Sequence, residues 1–240
     1  MTPGPPRLID GACRRVLLVC DHASNAVPDG IALGVPHHVM LDHVAWDVGA
    51  AAVTERLAAD LAAPAWLATV SRLVVDCNRS PELAIPEKSD GISIPGNIGL
   101  SPQDVAARLA LHSGFHDGLA KLLTEVAPEL LVSVHSFTPV LASAPVPRPW
   151  AVGVLWNRDY RGAELALAAL QAETELDGPA GANEPYSGKV LNYTMDRHAE
   201  AKGIPYIGFE IRQDLISSPE GVARWAGVLA RAILATRDGL

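Results

Sequence analysis

Three apolar runs in this chain each lead to a side chain that can bind a metal ion or transfer a proton. The first run precedes His22, the second contains His135 near its end, and the third precedes Glu210. Continuous apolar runs are typical of strands buried on both faces, and open α/β sheets place their chemistry at the carboxyl ends of such strands. Two imidazoles and a carboxylate at strand ends therefore indicate a metal-dependent hydrolase.

His22 and His135 are the best candidates for metal ligands, because neutral imidazole is the commonest ligand type. Either histidine alone would be explained by a hydrogen bond at a strand end, whereas the two together favour one bound Zn²⁺ ion. A catalytic zinc takes three protein ligands and leaves a position open for water. We choose Asp47 as the third ligand, although an acid before a predicted helix is also favoured by the helix dipole. Asn25 and His43 stay open as alternatives.

Glu210 is the predicted general base. A water molecule on a metal ion has a lowered pKa, and a nearby carboxylate can take its proton. A structural alternative is an ion pair with Arg212, which lies two residues later on the same face of the strand. Asp21 is expected to orient His22 from outside the ligand set.

Three arginines, Arg72, Arg79 and Arg212, fall near the ends of predicted strands. Arginine binds carboxylates through paired hydrogen bonds, and one of the three could face the oxyanion of a tetrahedral intermediate. Most single arginines are solvated surface groups. Arg79 follows Asn78 directly after an apolar run, so of the three it is the least expected to be such a surface group. The expected partner is a small substrate that carries a carboxylate.

Composition excludes several other classes of protein. A net charge of −8 without a basic run argues against a nucleic-acid partner. No apolar run is long enough to cross a bilayer, so we expect no membrane partner and a cytoplasmic location. Three cysteines without a CxxC pattern argue against disulfides and a zinc knuckle.

His112 and His116 lack the glutamate of a zincin motif and are expected to be packed and hydrogen-bonded. The oligomeric state stays open.

Strands and helices alternate along the chain, which predicts an α/β fold with a mostly parallel, mixed central sheet and helices on both faces. We expect a single domain over residues 1–240, with residues 1–14 as a flexible N-terminal segment. Strands are predicted at residues 15–20, 73–77, 131–137, 150–157 and 205–211. Helices are predicted at residues 48–61, 101–126, 163–173, 193–202 and 217–234.

Six segments together resemble the N-formylglutamate amidohydrolase family, a branch of the zinc-carboxypeptidase-like hydrolases. In chain order they read DHASNAVP, AWDVGA, SRLVVDCNR, HSFTP, NEPYSG and EIRQD, at residues 21–28, 45–50, 71–79, 135–139, 183–188 and 210–214. As a set they are specific, although no single one is. The resemblance implies a phosphorylase/hydrolase-like α/β fold and hydrolysis of an amide bond beside a carboxylate.

The resemblance also implies roles for individual residues. In zinc carboxypeptidases an Asn-Arg pair binds the substrate carboxylate, another arginine polarises the carbonyl, and a glutamate on a late strand is the base. These roles fall here on Asn78 with Arg79, on Arg72, and on Glu210. The resemblance places Tyr186 at the substrate, in a loop that would close a small pocket.

The predicted function is zinc-dependent hydrolysis of a small N-acyl amino acid, similar to N-formyl-L-glutamate, to formate and the amino acid. The His-x-x-Glu ligand pair of the carboxypeptidases reads HASN here at residues 22–25, so Asp47 replaces the missing carboxylate by inference. Alternatives are a zinc carboxypeptidase or N-deacylase that takes a larger acyl group, and a non-catalytic relative that only binds carboxylates.

Overall fold

The computed structural model describes residues 4–174 and 176–240. The strands in this part of the chain are β1 (Arg7–Ile9), β2 (Val16–Cys20), β3 (Ala65–Leu67), β4 (Lys88–Ser89), β5 (Ile92–Ser93), β6 (Leu130–Phe137), β7 (Val152–Leu155), β8 (Ala180–Ala182) and β9 (Tyr206–Arg212). The helices are α1 (His37–Met40), α2 (Ala50–Leu61), α3 (Pro102–Val126), α4 (Arg161–Ala172), α5 (Tyr193–His198) and α6 (Pro219–Gly239).

Seven of these strands form one mixed sheet in the order β1-β3-β2-β6-β9-β7-β8. The central strands β3, β2, β6 and β9 are parallel to their neighbours in this group, and β7 is parallel to β8. Strand β1 and the β7–β9 contact are antiparallel. The predicted fold class is confirmed. In the β6–β9 pair His135 lies directly opposite Glu210, so adjacent parallel strands bring these two residues to one edge.

Helices cover both faces of the sheet because successive side chains of each strand point to opposite faces. In β2, Leu18 belongs to the core cluster that includes residues of α2, α4 and α6. Its neighbours Leu17 and Val19 belong to the cluster on the other face, with residues of α3 and α5. Burial on both sides explains why β2 and β6 are almost continuously apolar.

The prediction of a strand at residues 73–77 is wrong. This segment is a series of turns, in which the amides of Val74 and Val75 both donate to the carbonyl of Ser71. Leu73 and Val74 are buried in one small cluster and Val75 in another, and side chains of α3 pack against both. An apolar run indicates that side chains are buried but does not determine the backbone conformation. The position next to β2 in the sheet is occupied by β3, a strand that was not predicted.

Within the segment predicted to be flexible, residues 1–14, Arg7–Ile9 pairs with β3 as an edge strand. Residues 1–3 lie outside the described part of the chain. The helix predicted at residues 193–202 is divided into α5 and a separate 3₁₀ turn at Glu200–Lys202. Within the described residues, no helix has the length and apolar character that crossing a membrane requires.

Candidate active site

His22, Asp47 and His135 meet at the carboxyl edge of the sheet. One possible ligand atom from each lies within 4.8 Å of the others, and all three residues are buried. The Oδ2 atom of Asp47 lies 2.8 Å from Nδ1 of His135 and 3.4 Å from Nδ1 of His22. Two imidazole nitrogens and a carboxylate therefore face one another, as a three-ligand metal site requires.

Backbone contacts hold Asp47 in this position although it lies far from both histidines in sequence. Its amide donates to the carbonyl of His22 at 3.0 Å, and its Oδ2 accepts from the amide of Ser136 at 3.3 Å. Gly49 then turns the chain into α2 with a φ of 83°. A Cβ atom at Gly49 would lie 2.5 Å from the carbonyl oxygen of Ile216, so this close approach requires glycine.

Each histidine of the cluster turns its other ring nitrogen towards a second acid. The Nε2 atom of His22 lies 2.7 Å from Oδ1 of Asp76, whereas Nε2 of His135 lies 3.7 Å from Oδ1 of Asp21. Acids in this outer position orient metal-binding imidazoles and make them stronger ligands. Asp21 was expected to orient His22, but the structure places it beside His135. Asp76 was not predicted as a site residue, since its only signal in the sequence is its place between Arg72 and Asn78.

The acids and histidines of the cluster shift each other's pKa values in opposite directions. Burial disfavours the charge of His135, but the carboxylates of Asp21 and Asp47 outweigh it and raise the pKa of this imidazole to about 10. Burial opposes the charge of Asp47 too, yet His22 and His135 hold the pKa of its carboxyl well below the ordinary value. At neutral pH a protonated His135 therefore supplies the positive charge that balances these acids.

Metal binding is expected to release protons. Below about pH 10 the metal-free protein keeps an extra proton on His135, which a metal must displace, so affinity should rise with pH up to that value. Calorimetric titration with Zn²⁺ at pH 7, in buffers of different ionisation enthalpy, should give a release of at least about one proton per metal. Heats that do not vary with the buffer would contradict binding at this cluster.

Glu210 lies on β9 with 8% of its surface exposed, and its Oε2 atom has no hydrogen-bond partner in the described residues. Burial raises the pKa of Glu210 to about 7, in spite of the nearby charge of His135. A carboxyl group with this pKa can both take and return a proton near neutral pH. The alternative ion pair with Arg212 is not formed, because Arg212 pairs with Asp214 at 2.8 Å.

Arg72 connects the two acids that contact His22. Its Nη1 atom lies 3.1 Å from Oδ1 of Asp47, and its Nη2 atom lies 2.8 Å from Oδ2 of Asp76. The side chain is 22% exposed, so one edge of the guanidinium still reaches solvent in the cavity. Arg72 therefore orients the cluster and can also face a bound molecule.

Asn78 and Arg79 lie together on the wall of the same cavity. The amide of Thr194, in the first turn of α5, donates to Oδ1 of Asn78 at 3.0 Å. This contact assigns the oxygen of the side-chain amide and leaves its nitrogen to donate elsewhere. Arg79 donates from Nη1 to the carbonyl of Asn78 at 2.8 Å. The pair therefore offers hydrogen-bond donors, which suit a carboxylate.

Two histidines of α3 anchor the segment that carries this pair. His116 donates from Nε2 to the carbonyl of Cys77, and His112 donates to the carbonyl of Arg79, each at 2.9 Å. His198 contacts the other ring nitrogen of His116, also at 2.9 Å. The prediction that His112 and His116 are packed and hydrogen-bonded is confirmed.

A cavity of about 270 Å³ brings most of the predicted site residues together. It is lined by His22, Asp47, Arg72, Asn78, Arg79, His135, Tyr186 and Glu210, among others. Arg212 is not on its wall. His43 is, but it pairs with Asp42 and Asp90 and lies outside the three-residue cluster. Asn25 donates to the carbonyl of Met40 instead.

The loop that carries Tyr186 is shaped by Asn183, which has a positive φ of 54°. The side-chain oxygen of Asn183 accepts from the amides of Trp156 and Gly188, which closes the turn. The Nη1 atom of Arg148 donates to the Tyr186 hydroxyl oxygen at 3.0 Å. Arg148 was not predicted as a site residue, because it stands in a Pro/Ala-rich stretch at residues 143–149 that is typical of an extended surface connection.

Comparison with known proteins agrees with the resemblance. The family model described as N-formylglutamate amidohydrolase matches residues 14–217. The crystal structure of gene product Atu2144 from Agrobacterium tumefaciens is 33% identical, with a TM-score of 0.90 over 97% of this chain and 94% of that one. The structure of N-formylglutamate amidohydrolase from Ralstonia eutropha JMP134 is 15% identical, with a TM-score of 0.70 over 98% and 97%, and shows a shared fold. No curated protein matches the sequence.

Proposed function

Because the chain belongs to the N-formylglutamate amidohydrolase family, we propose that it is a metal-dependent enzyme that hydrolyses a small N-acyl amino acid. The substrate resembles N-formyl-L-glutamate, and the products are formate and the free amino acid. The observation that carries the proposal is the position of Glu210. This carboxyl group is buried, its Oε2 atom has no hydrogen-bond partner in the described residues, and it lines the same cavity as His22, Asp47 and His135.

His22, Asp47 and His135 would hold one Zn²⁺ ion. Two imidazoles and a carboxylate are a common donor set for catalytic zinc with an open position. The convergence of three donor atoms within 4.8 Å supports this assignment, as does the second acid beside each imidazole. When bound, the ion supplies a Lewis acid that polarises the acyl carbonyl and lowers the pKa of water.

Glu210 acts as general base and then as general acid. It takes a proton from the attacking water while the water oxygen bonds to the acyl carbon. It then delivers this proton to the amide nitrogen as the carbon–nitrogen bond breaks, which yields formate and an amine. A pKa of about 7 suits both transfers. Arg72 stabilises the negative charge that develops on the acyl oxygen.

Asn78 and Arg79 bind the carboxylate of the substrate next to the scissile amide. The cavity of about 270 Å³ favours a short acyl group over a peptide, because ligand pockets for larger molecules exceed this volume. The donor geometry of Asn78 supports recognition of an anion. The cytoplasmic location and the lack of nucleic-acid or membrane partners stay predictions.

An Arg79→Gln variant is expected to raise KM for N-formyl-L-glutamate by roughly 10- to 100-fold, with a smaller change in kcat. This range corresponds to the loss of one charge-assisted hydrogen bond. Steady-state kinetics beside Arg56→Gln, a substitution of a half-exposed arginine on α2, would measure the effect. An unchanged KM for Arg79→Gln would exclude Arg79 from substrate binding.

Formate release from N-formyl-L-glutamate by the zinc-loaded protein tests the proposed function. We expect release that stops when the metal is chelated and resumes when Zn²⁺ is restored. Bound metal without hydrolysis of N-formyl-L-glutamate or of N-formyl derivatives of other amino acids would contradict the proposal. Release of larger acyl groups in preference to formate would favour the N-deacylase alternative.

A further inference from the structure

Arg148 is held against the Tyr186 side chain from several directions. Its Nη1 atom donates to the Tyr186 hydroxyl at 3.0 Å and to the carbonyl of Thr138 at 3.2 Å. Its guanidinium carbon lies 4.7 Å from the centre of the Tyr186 ring and 5.9 Å from that of Phe137. Its backbone amide donates to the carbonyl of Pro139. The guanidinium therefore has a defined position beside the cavity wall.

The charge of Arg148 has no acidic partner in the described part of the chain. Arg72, by contrast, pairs with Asp47 and Asp76. Two aromatic rings and a hydroxyl oxygen surround Arg148 in place of a carboxylate, and a cation at these distances is attracted to an aromatic ring. This arrangement suggests that Arg148 acts on the position of Tyr186.

The contact with Arg148 decides which way the Tyr186 hydroxyl can donate. A phenol has one hydrogen to donate, and here its oxygen accepts from Arg148. The phenolic hydrogen is then available to another acceptor. Tyr186 lines the cavity together with Glu210 and Arg72. Burial and the charge of Glu210 raise the pKa of Tyr186, so the hydroxyl keeps this hydrogen at neutral pH.

We propose that Arg148 is a positioning residue, which holds the Tyr186 hydroxyl so that it donates a hydrogen bond to an oxygen atom of the bound substrate. The inference rests on the proposed function for the substrate, an N-acyl amino acid whose oxygens all accept hydrogen bonds. Arg148, which is not on the cavity wall, would then contribute to substrate binding through Tyr186. The order of the loop at residues 183–188 then depends on Arg148.

Direct binding of substrate by Arg148 is the competing explanation. Its Nε and Nη2 atoms have no hydrogen-bond partner among the described residues, and the side-chain carboxylate of N-formyl-L-glutamate could use them. The two explanations differ in two ways. Positioning needs Tyr186 and is indifferent to the substrate's side-chain charge, whereas direct binding needs that charge and is independent of Tyr186.

A double-mutant cycle separates these explanations. We would measure kcat/KM for Arg148→Met, Tyr186→Phe and the double variant, with N-formyl-L-glutamate and the isosteric N-formyl-L-glutamine. Each single variant is expected to lose roughly tenfold, the effect of one neutral hydrogen bond. Arg148→Met should cost little more in the Tyr186→Phe background, and the loss should be equal for both substrates. Arg158→Met, at an 89% exposed side chain, is the matched control.

Hydrogen exchange of the amides at residues 183–190 gives a readout that does not depend on turnover. Arg148→Met should speed this exchange, whereas Arg158→Met should leave it unchanged. A loss of activity that persists in the Tyr186→Phe background, or that is confined to N-formyl-L-glutamate, would overturn the inference in favour of direct binding. Unchanged exchange would also overturn it. Faster exchange in a protein that hydrolyses no N-formyl amino acid would contradict the proposed function alone.

Discussion

The Glu210→Gln variant is expected to keep its fold and its metal affinity while kcat falls by roughly 10²- to 10⁴-fold, the usual contribution of a general base. Glutamine has nearly the same shape as glutamate, but its amide cannot take a proton from water. Glu210 lies opposite His135 on the neighbouring strand and is the only carboxylate of β9, so no other acid of this strand can substitute for it. Formate release at saturating substrate measures the loss.

Two controls make this result specific. Metal content and the unfolding temperature of Glu210→Gln should match those of the parent protein in the zinc-loaded state. Glu129→Gln, at an exposed glutamate, should have unchanged activity. A Glu210→Gln variant that retains formate release within a few fold would assign the proton transfer to another group.

The same substitution has an expected signature in the metal-free protein. Burial raises the pKa of Glu210 from its ordinary value of 4.5 to about 7. Because the folded protein binds this proton more tightly than the unfolded chain, ionisation of Glu210 lowers stability as the pH rises from about 4.5 to about 7. Glutamine has no such loss. Metal-free Glu210→Gln should therefore be relatively more stable at pH 8 than at pH 5, compared with its parent.

The His135→Ala variant is expected to lose the metal and, with it, measurable formate release. Substitutions of residues that merely support a metal ligand cost about 10- to 100-fold in affinity, so the loss of a direct ligand should cost more than about 100-fold. His135 is only 5% exposed and faces Asp47 and Asp21. Its removal leaves these two buried acids without a cation between them, which should also lower the unfolding temperature.

Metal content after dialysis against micromolar Zn²⁺ is the direct measurement. His38→Ala, on the exposed surface of α1, is the matched control and should bind zinc as the parent does. Circular dichroism distinguishes loss of the ligand from loss of the fold. Stoichiometric zinc on a folded His135→Ala protein would place the metal elsewhere and contradict the cluster of His22, Asp47 and His135.

The fold class and the two strand-end histidines were predictable because they depend on local pattern. A run such as that of β6 is apolar throughout since helices cover both faces of the sheet. Parallel strands then carry their carboxyl ends to one edge, which brings His22, His135 and Glu210 together without knowledge of any loop. The same pattern gave a wrong prediction at residues 73–77, where the apolar side chains are buried in small clusters against α3 but the backbone forms no strand.

The family resemblance extended this prediction to residues in loops. Asn78, Arg79 and Tyr186 do line the cavity, although nothing in the periodicity of the chain indicates it. Arg212 does not, since its guanidinium turns to Asp214 two residues later. A short-range ion pair of this kind competes with any distant partner, and spacing alone cannot rank the two.

Sequence by itself therefore determined which strands end in candidate catalytic or metal-binding residues and what types these residues are. Apolar runs indicate buried strands, and the residues at the carboxyl ends of those runs can be identified directly. Only the tertiary structure decided which side chains contact each other: Asp47 with both histidines, Asp76 with His22, Asp21 with His135, and Arg148 with Tyr186. Most of these contacts join residues separated by tens of positions along the chain. Hydrogen bonds and ion pairs require atoms within about 3–4 Å, and that proximity follows from how loops and helices pack on the sheet.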